Sequence, residues 1–352
     1  MSQHPRSTRD ASIDALKGLA IALVVLGHAL VISATSSHPF PGAVSLNPGE
    51  WVPVSTASSL LLSFVYSFHM PLFAFVSGRL LDSSLSRPMG EVIRRRAMSL
   101  LLPYMAWVPV LFAVDRFILR RASGSLWTAL VSAALGRSGL WFLFALFVCS
   151  VVAVAIAKVS RRWLLPLSAV VAIGLSAHSI VPLPNLFHLS NVVWIYPFVV
   201  MGLYARDSEE WLKQHRALAL TISLVAFGAL LYLRHPVHVP AMQPLRDVSP
   251  ALLAKALALA VRYACAAAGV AALYAGYTRR TGRWIDAQAF IGKRSLGIYA
   301  THSAFVWALV EVGLKQPLLI TGLALAGSLV VTVGLERFRL TRAVLLGAGS
   351  IR

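Results

Sequence analysis

The sequence predicts an all-α, polytopic integral membrane helix bundle of about ten transmembrane helices, and three observations predict it. Of its 352 residues, 58% are hydrophobic and only 13% charged, with a mean hydropathy of +0.73. Apolar segments of about 17 to 25 residues, the length a helix needs to cross a hydrocarbon core, recur along the whole chain. Those segments, ALLAKALALAVRYACAAAGVAALYAGY (251–277) among them, lack the apolar/polar alternation of a barrel strand. Helices and closed barrels alone satisfy every backbone polar group in lipid, so the spans are helical.

In chain order the expected spans are about 12–34, 58–81, 97–118, 139–157, 163–178, 191–205, 217–233, 251–277, 289–311 and 317–336. The first follows a basic N-terminal stretch, but its apolar run is longer than that of a cleaved signal peptide and carries His28, so an uncleaved span is expected. The second contains Pro71, which removes a backbone donor and predicts a kink or a fresh helix start beside His69. Such a break is tolerated where it lines a cavity. The third enters through the run Arg94, Arg95, Arg96; the fifth and sixth are the shortest. Between the first two spans, Thr35 to Thr56 is rich in Ser, Pro and Gly and holds no Lys or Arg. It reads as an outer loop placed to cap a site from above. No linker and no internal repeat of the transporter kind divides the chain. A single membrane-embedded domain over 1–352 is expected, with its core spans at about 12–336.

The formal charge is +19, from 32 Lys and Arg against 13 Asp and Glu. In a membrane chain this reports topology rather than a nucleic-acid partner. With ten crossings, 23 of the 32 basic residues fall on the side of the termini, and the Lys/Arg excess of inward loops puts both termini in the cytoplasm. Basic loops of this kind also suit anionic lipids and phosphorylated co-substrates. Cys149 and Cys265 both lie inside apolar spans, so neither a disulfide framework nor a metal cluster is expected. The chain has no Walker-type or dinucleotide glycine motif, no HExxH, no CxxC and no GxSxG, so nucleotide hydrolysis, zinc proteolysis and a serine elbow lack support.

Ionisable groups inside a membrane are costly, and each one present calls for an explanation. Lys17 and His28 share the first span, eleven positions apart. On a helix they lie about 16 Å apart along the axis and roughly 20° apart around it, on one face. A lysine near the end of a span can reach an anionic head group, and an imidazole three turns deeper is suited to take a proton near neutral pH. The alternatives are a snorkelling lysine and a histidine hydrogen-bonded within the core. His69 in the second span is either a substrate contact or a partner of backbone near Pro71; His302 lies in the ninth. Arg79, after Ser77-Gly78, and the run Arg94, Arg95, Arg96 can pair bidentately with phosphate or simply obey the positive-inside rule. Buried acids of the kind that proton- or sodium-coupled transporters use are not evident near span centres, since Asp14, Glu311 and Glu336 sit at span ends.

Assembled, these residues resemble the membrane-bound acyltransferase 3 family, within it the fucose 4-O-acetylase-like and xanthan-type exopolysaccharide acetylases. The resemblance covers essentially the whole chain. Its most specific element is Lys17, ten residues, then His28, where the family carries Arg or Lys, ten residues, then His. Similar to family patterns are also FHMPLFAFVSGRLL (68–81), RRRAMSLLLPY (94–104), LWFLFALF (140–147), YPFVVMGLYAR (196–206) and GKRSLGIYATHSAF (292–305). The resemblance implies a multi-pass protein of the bacterial inner membrane. It implies transfer of an acetyl group from cytoplasmic acetyl-CoA, a co-substrate and not a resident cofactor, to a hydroxyl of a cell-surface polysaccharide or its lipid-linked precursor. It carries over onto Lys17 and His28 as the essential pair, His28 as general base, and more loosely onto Arg79 and His302. Arg94 and Arg95 are expected beside the coenzyme, and one of His69 and His302 at the acceptor sugar. Other polysaccharide-assembly membrane proteins are expected as neighbours. Many relatives carry a fused extracytoplasmic esterase-like domain that this sequence does not show. Two other classes fit a basic, carboxylate-poor bundle: a flippase for lipid-linked sugar, and a non-catalytic assembly subunit.

Overall fold

The computed structural model describes residues 11–35, 56–121, 124–164, 166–167, 170, 189–234, 251–278 and 280–347. Every regular element among them is helical: α1 (Ala11–Thr35), α2 (Thr56–Arg79), α3 (Met89–Ile118), α4 (Leu126–Ala134), α5 (Trp141–Val159), α6 (Leu189–Tyr204), α7 (Arg216–Arg234), α8 (Ala251–Tyr277), α9 (Arg283–Gly292), α10 (Ser295–Glu311), α11 (Pro317–Glu336) and α12 (Arg339–Val344). Short helices at Asp82–Leu85 and Glu209–Gln214 follow α2 and α6.

Seven of these helices are long and apolar enough to cross a bilayer, namely α1, α2, α3, α5, α7, α8 and α11. The chain is therefore a polytopic helical membrane protein, and the described residues do not reach the expected ten. The sixth expected span is α6, an apolar helix of only 16 residues. The ninth is not one continuous helix: the chain leaves helical geometry after Gly292, and α10, 17 residues long, begins at Ser295. Two adjacent cations, Lys293 and Arg294, stand at that break, where Arg294 reaches Glu336 at 2.9 Å. The fifth expected span and the loop between Thr35 and Thr56 lie largely outside the described residues. α4, capped by reciprocal bonds between Ser125 and Thr128, falls where only a loop was expected.

Pro71 does not restart its helix. α2 runs unbroken from Thr56 to Arg79 with the proline inside. One turn before it, the Ser67 hydroxyl donates to Phe64 O at 2.6 Å and His69 Nδ1 bonds Val65 O at 2.7 Å. Side chains that bond the backbone in this way let a proline sit within a helix in a low-dielectric interior.

α1 is the axis on which the site is built, and Leu16, Ala20, Ile21, Val24 and Val25 along it are fully buried. α9 and α10 run beside it in the same direction. Near its N-terminal end, Gly18 and Gly292 face each other so closely that a Cβ on Gly18 would overlap Gln288 O and one on Gly292 would overlap Asp14 O. Ten residues farther along both, His28 meets His302, partners separated by 274 positions, the same separation as the two glycines. Small residues that let helix backbones approach are the usual interlock where lipid supplies no hydrophobic drive. α2 and α6 pair likewise: Gly78 and Gly202 each press on the other helix's backbone, and Asp82 and Arg206 form an ion pair just beyond. Spans one and nine, and spans two and six, therefore run parallel.

The rest of the bundle encloses this centre. Arg216 ties α7 to α8 by donating to Ala275 O at 2.9 Å and Gly276 O at 2.7 Å. After α12, Leu345 O accepts from Trp107 Nε1 at 2.9 Å, pinning that segment on α3. Outward surfaces of α7 and α11 stay apolar, with Val225 67% and Val330 71% exposed, which is the face a hydrocarbon solvent would cover.

Candidate active site

Lys17 and His28 both lie on the uninterrupted α1, so they are about 16 Å apart along its axis. Asp14, in the first turn of α1, is buried and lies 3.4 Å from Lys17 Nζ, one turn away. A carboxylate is favoured at that helix end by the backbone dipole. It also orients the lysine, whose side chain keeps 16% exposure.

Three histidines gather deeper in the bundle. The rings of His28 and His302 meet edge to face, with centroids 4.8 Å apart at 74°. His69 packs edge-on against Tyr66 at 4.8 Å, and Tyr66 lies against Gly27, the residue before His28. Both His69 and His302 are within electrostatic reach of His28. His69 and His302 are 4% and 3% exposed, whereas His28 is half-buried. His28 thus keeps part of its surface accessible while its two histidine neighbours do not.

Each ring bonds the carbonyl one turn back on its own helix through Nδ1: His28 to Val24 O at 2.9 Å, His69 to Val65 O at 2.7 Å, and His302 to Tyr299 O at 2.7 Å and Ile298 O at 3.2 Å. A carbonyl oxygen only accepts, so each Nδ1 carries the hydrogen and each Nε2 the lone pair. No group among the described residues bonds Nε2 of His28 or of His69. His302 Nε2 instead lies 3.4 Å from His28 Nδ1. His302 therefore has both ring nitrogens engaged by the protein, and the acceptor-sugar role expected of His302 or His69 has a free nitrogen only on His69.

The basic residues divide in a way the sequence did not reveal. Arg79 is paired with Glu209, and Tyr274 donates to the same carboxylate at 3.5 Å, joining the ends of α2 and α8 to the short helix after α6. Arg95 bonds Glu91 at 2.7 Å, Arg87 bonds it at 3.0 Å, and Arg94 is exposed. Arg96 is half-buried, and its side chain has no hydrogen-bond or ion-pair partner among the described residues. Arg94 and Arg96 are thus the members of the run whose side chains are left able to take an anion, and Arg96 is the more buried of the two. Nothing local distinguishes it from its neighbours except helical phase, each residue turning about 100° from the last. Among the described residues, no group of three or more His, Cys, Asp or Glu could hold a metal ion.

Comparison with known proteins adds a family and two relatives. A family model described as "Acyltransferase domain" matches residues 10–337. "Nodulation protein NolL" of Sinorhizobium fredii is 30% identical over 279 residues, 76% of this chain and 68% of the relative. "Nodulation protein NolL" of Mesorhizobium japonicum is 26% identical over 212 residues, 58% of this chain and 50% of the relative. The matched part thus spans half to two thirds of the length of these curated relatives. No solved structure matches.

Proposed function

The chain belongs to the acyltransferase 3 family, and on that premise we propose that it moves an acetyl group from acetyl-CoA to a hydroxyl of a cell-surface polysaccharide or its lipid-linked precursor. It is a multi-pass membrane acyltransferase; donor, acceptor class and residue roles are the proposal. The observation that carries it is His28 Nε2, a histidine nitrogen bearing a lone pair and free of protein partners among the described residues, on a side chain that is only half-buried. The acceptor hydroxyl gives its proton to this nitrogen as its oxygen bonds the acyl carbon. The carbon–sulfur bond of the thioester breaks, and the proton passes from His28 to the departing sulfur. A positioned general base of this kind contributes about 10² to 10⁴ in rate.

Lys17 is the anion contact at the other end of the same helix. An anionic group at Lys17 and a reacting carbon at His28 must lie about 16 Å apart, a separation that an extended substrate such as acetyl-CoA spans. Arg96 supplies a second phosphate contact. Both belong at the cytoplasmic face, on the argument that 23 of 32 basic residues fall on the side of the termini. The whole chain, 1–352, is read as one membrane domain of the inner membrane, working beside other polysaccharide-assembly proteins and the lipid bilayer.

Substitution separates these roles. Lys17→Arg keeps the charge and is expected to retain most activity. Lys17→Met is expected to raise KM for acetyl-CoA about tenfold or more, the loss of one hydrogen bond to a charged group, with kcat nearly unchanged, the sign of lost uniform binding. Arg96→Gln is expected to shift KM in the same direction. Arg79→Gln should instead lower thermal stability, because it strands Glu209 at the junction of three helices. Initial rates over a range of acetyl-CoA concentrations, beside melting curves of the same preparations, check all four. A KM effect confined to Arg79 would move the coenzyme site to the ends of α2 and α6.

A further inference from the structure

We infer that His302 is a positioning residue for His28 and not a contact for the acceptor sugar. The inference rests on reading His28 as the base, and it deepens that reading by assigning the ring's tautomer and the group that holds it. His28 Nδ1 faces two atoms, Val24 O at 2.9 Å and His302 Nε2 at 3.4 Å. The carbonyl accepts and never donates, so the hydrogen belongs to His28 Nδ1. His302 Nε2 must then present its lone pair, and its own hydrogen sits on Nδ1, aimed at Tyr299 O at 2.7 Å. One assignment satisfies every contact, whereas either opposite tautomer points a lone pair at a carbonyl oxygen. The chain of donors thus runs from His28 Nδ1 to His302 Nε2 and from His302 Nδ1 to the backbone of α10.

This arrangement leaves His28 Nε2 as the proton acceptor. When it takes the hydroxyl proton, the new positive charge is shared with an Nδ1–H already directed at Val24 O and the His302 lone pair. No proton leaves the pair in that step: His302 keeps its Nδ1 hydrogen throughout, and the proton gained at His28 Nε2 departs with the sulfur. The glycine interlock explains why two residues 274 positions apart meet at all. Gly18 against Gln288 and Gly292 against Asp14 set the two helices in parallel register, and both histidines stand ten residues beyond the glycines. His302 is buried within a run of buried residues on α10, so its ring has one rigid surrounding and one task.

The test uses the purified full-length protein in lipid nanodiscs, [14C]acetyl-CoA as donor and a panel of p-nitrophenyl glycosides as acceptor probes. His302→Phe keeps a ring but offers no lone pair; His302→Gln can present its amide oxygen near the place of Nε2. We expect His302→Phe to lose about 10- to 100-fold in kcat, the range for losing a hydrogen bond to a charged group, with both KM values unchanged. His302→Gln is expected to recover most of that loss. A purely structural role would not separate Gln from Phe at matched protein levels and equal melting temperatures. Should His302→Phe fail to accumulate, His302→Met, unbranched and without nitrogen, takes its place in the comparison. Wild-type kcat in the Phe or Met variant, or Gln no better than Phe, would overturn the inference. So would a raised acceptor KM with kcat intact, which would restore the sugar contact. These failures are distinct from failure of the function itself, which would show as absent transfer in the wild type or full transfer by His28→Ala.

Discussion

Replacing His28 with alanine is expected to lower kcat by about 10² to 10⁴, the share a positioned general base contributes, while the protein still inserts and folds. The structural part of the change is small. His28 is only half-buried, so truncation removes a side chain that is not fully packed, and Val24 O loses only a side-chain partner in addition to its place in the helix. The chemical part is large because no other base stands where His28 Nε2 stood: His302 is buried and faces the Nδ1 side of the ring, not the Nε2 side, and His69 is buried on another helix. His28→Gln is expected to fall nearly as far, since an amide hydrogen-bonds without useful basicity. Turnover at matched protein amounts, with a melting curve for each variant, separates the two contributions. A drop in melting temperature that accounts for the lost activity would return His28 to a core role.

A comparably large loss is expected from a residue with no chemistry at all. Gly18→Val and Gly292→Val each drive a side chain into backbone across the α1–α9 contact, where even a Cβ overlaps a carbonyl oxygen. Backbone cannot rotate aside as a flexible side chain can, so the helices must separate or slide. Overpacking of this kind costs about 1–3 kcal/mol, and a displacement near 1 Å at a reacting centre can cost about 10²-fold in rate. Both variants are expected to lose about a hundredfold in kcat with a modest fall in stability. Gly90 and Gly322, where an added Cβ meets nothing within 4 Å, supply the control, and alanine at either is expected to be silent. Equal rates in the interlock and control variants would show that the contact between α1 and α9 does not set the histidine geometry.

How far the sequence could be read follows from which forces are local. Hydrophobic length exposed α1, α2, α5, α7, α8 and α11 because a bilayer demands length from each helix by itself. The Lys17–His28 spacing was legible for the same reason, since one helix carries both. The break between α9 and α10 was not, because apolar residues lie on both sides of Lys293 and Arg294 and hydropathy averages over two cations. α6 resembles a short span since its burial among neighbours, not its length, holds it. What stayed hidden was pairing across the fold. Glu209 reads as a loop acid until it meets Arg79, 130 positions away. Arg96 reads like Arg94 and Arg95 until the helix turns it inward. His302 reads as one more histidine until the glycine register brings it to His28.

The most direct test of the account is transfer itself. The purified wild-type chain in nanodiscs, given [14C]acetyl-CoA and a surface polysaccharide stripped of its O-acetyl groups by mild alkali, is expected to place alkali-labile label on the glycan and release free coenzyme A in equal amount, while His28→Ala does neither above background. Label that never leaves the coenzyme in the wild type, or equal transfer by wild type and His28→Ala, would contradict it and put the flippase and assembly-subunit readings ahead.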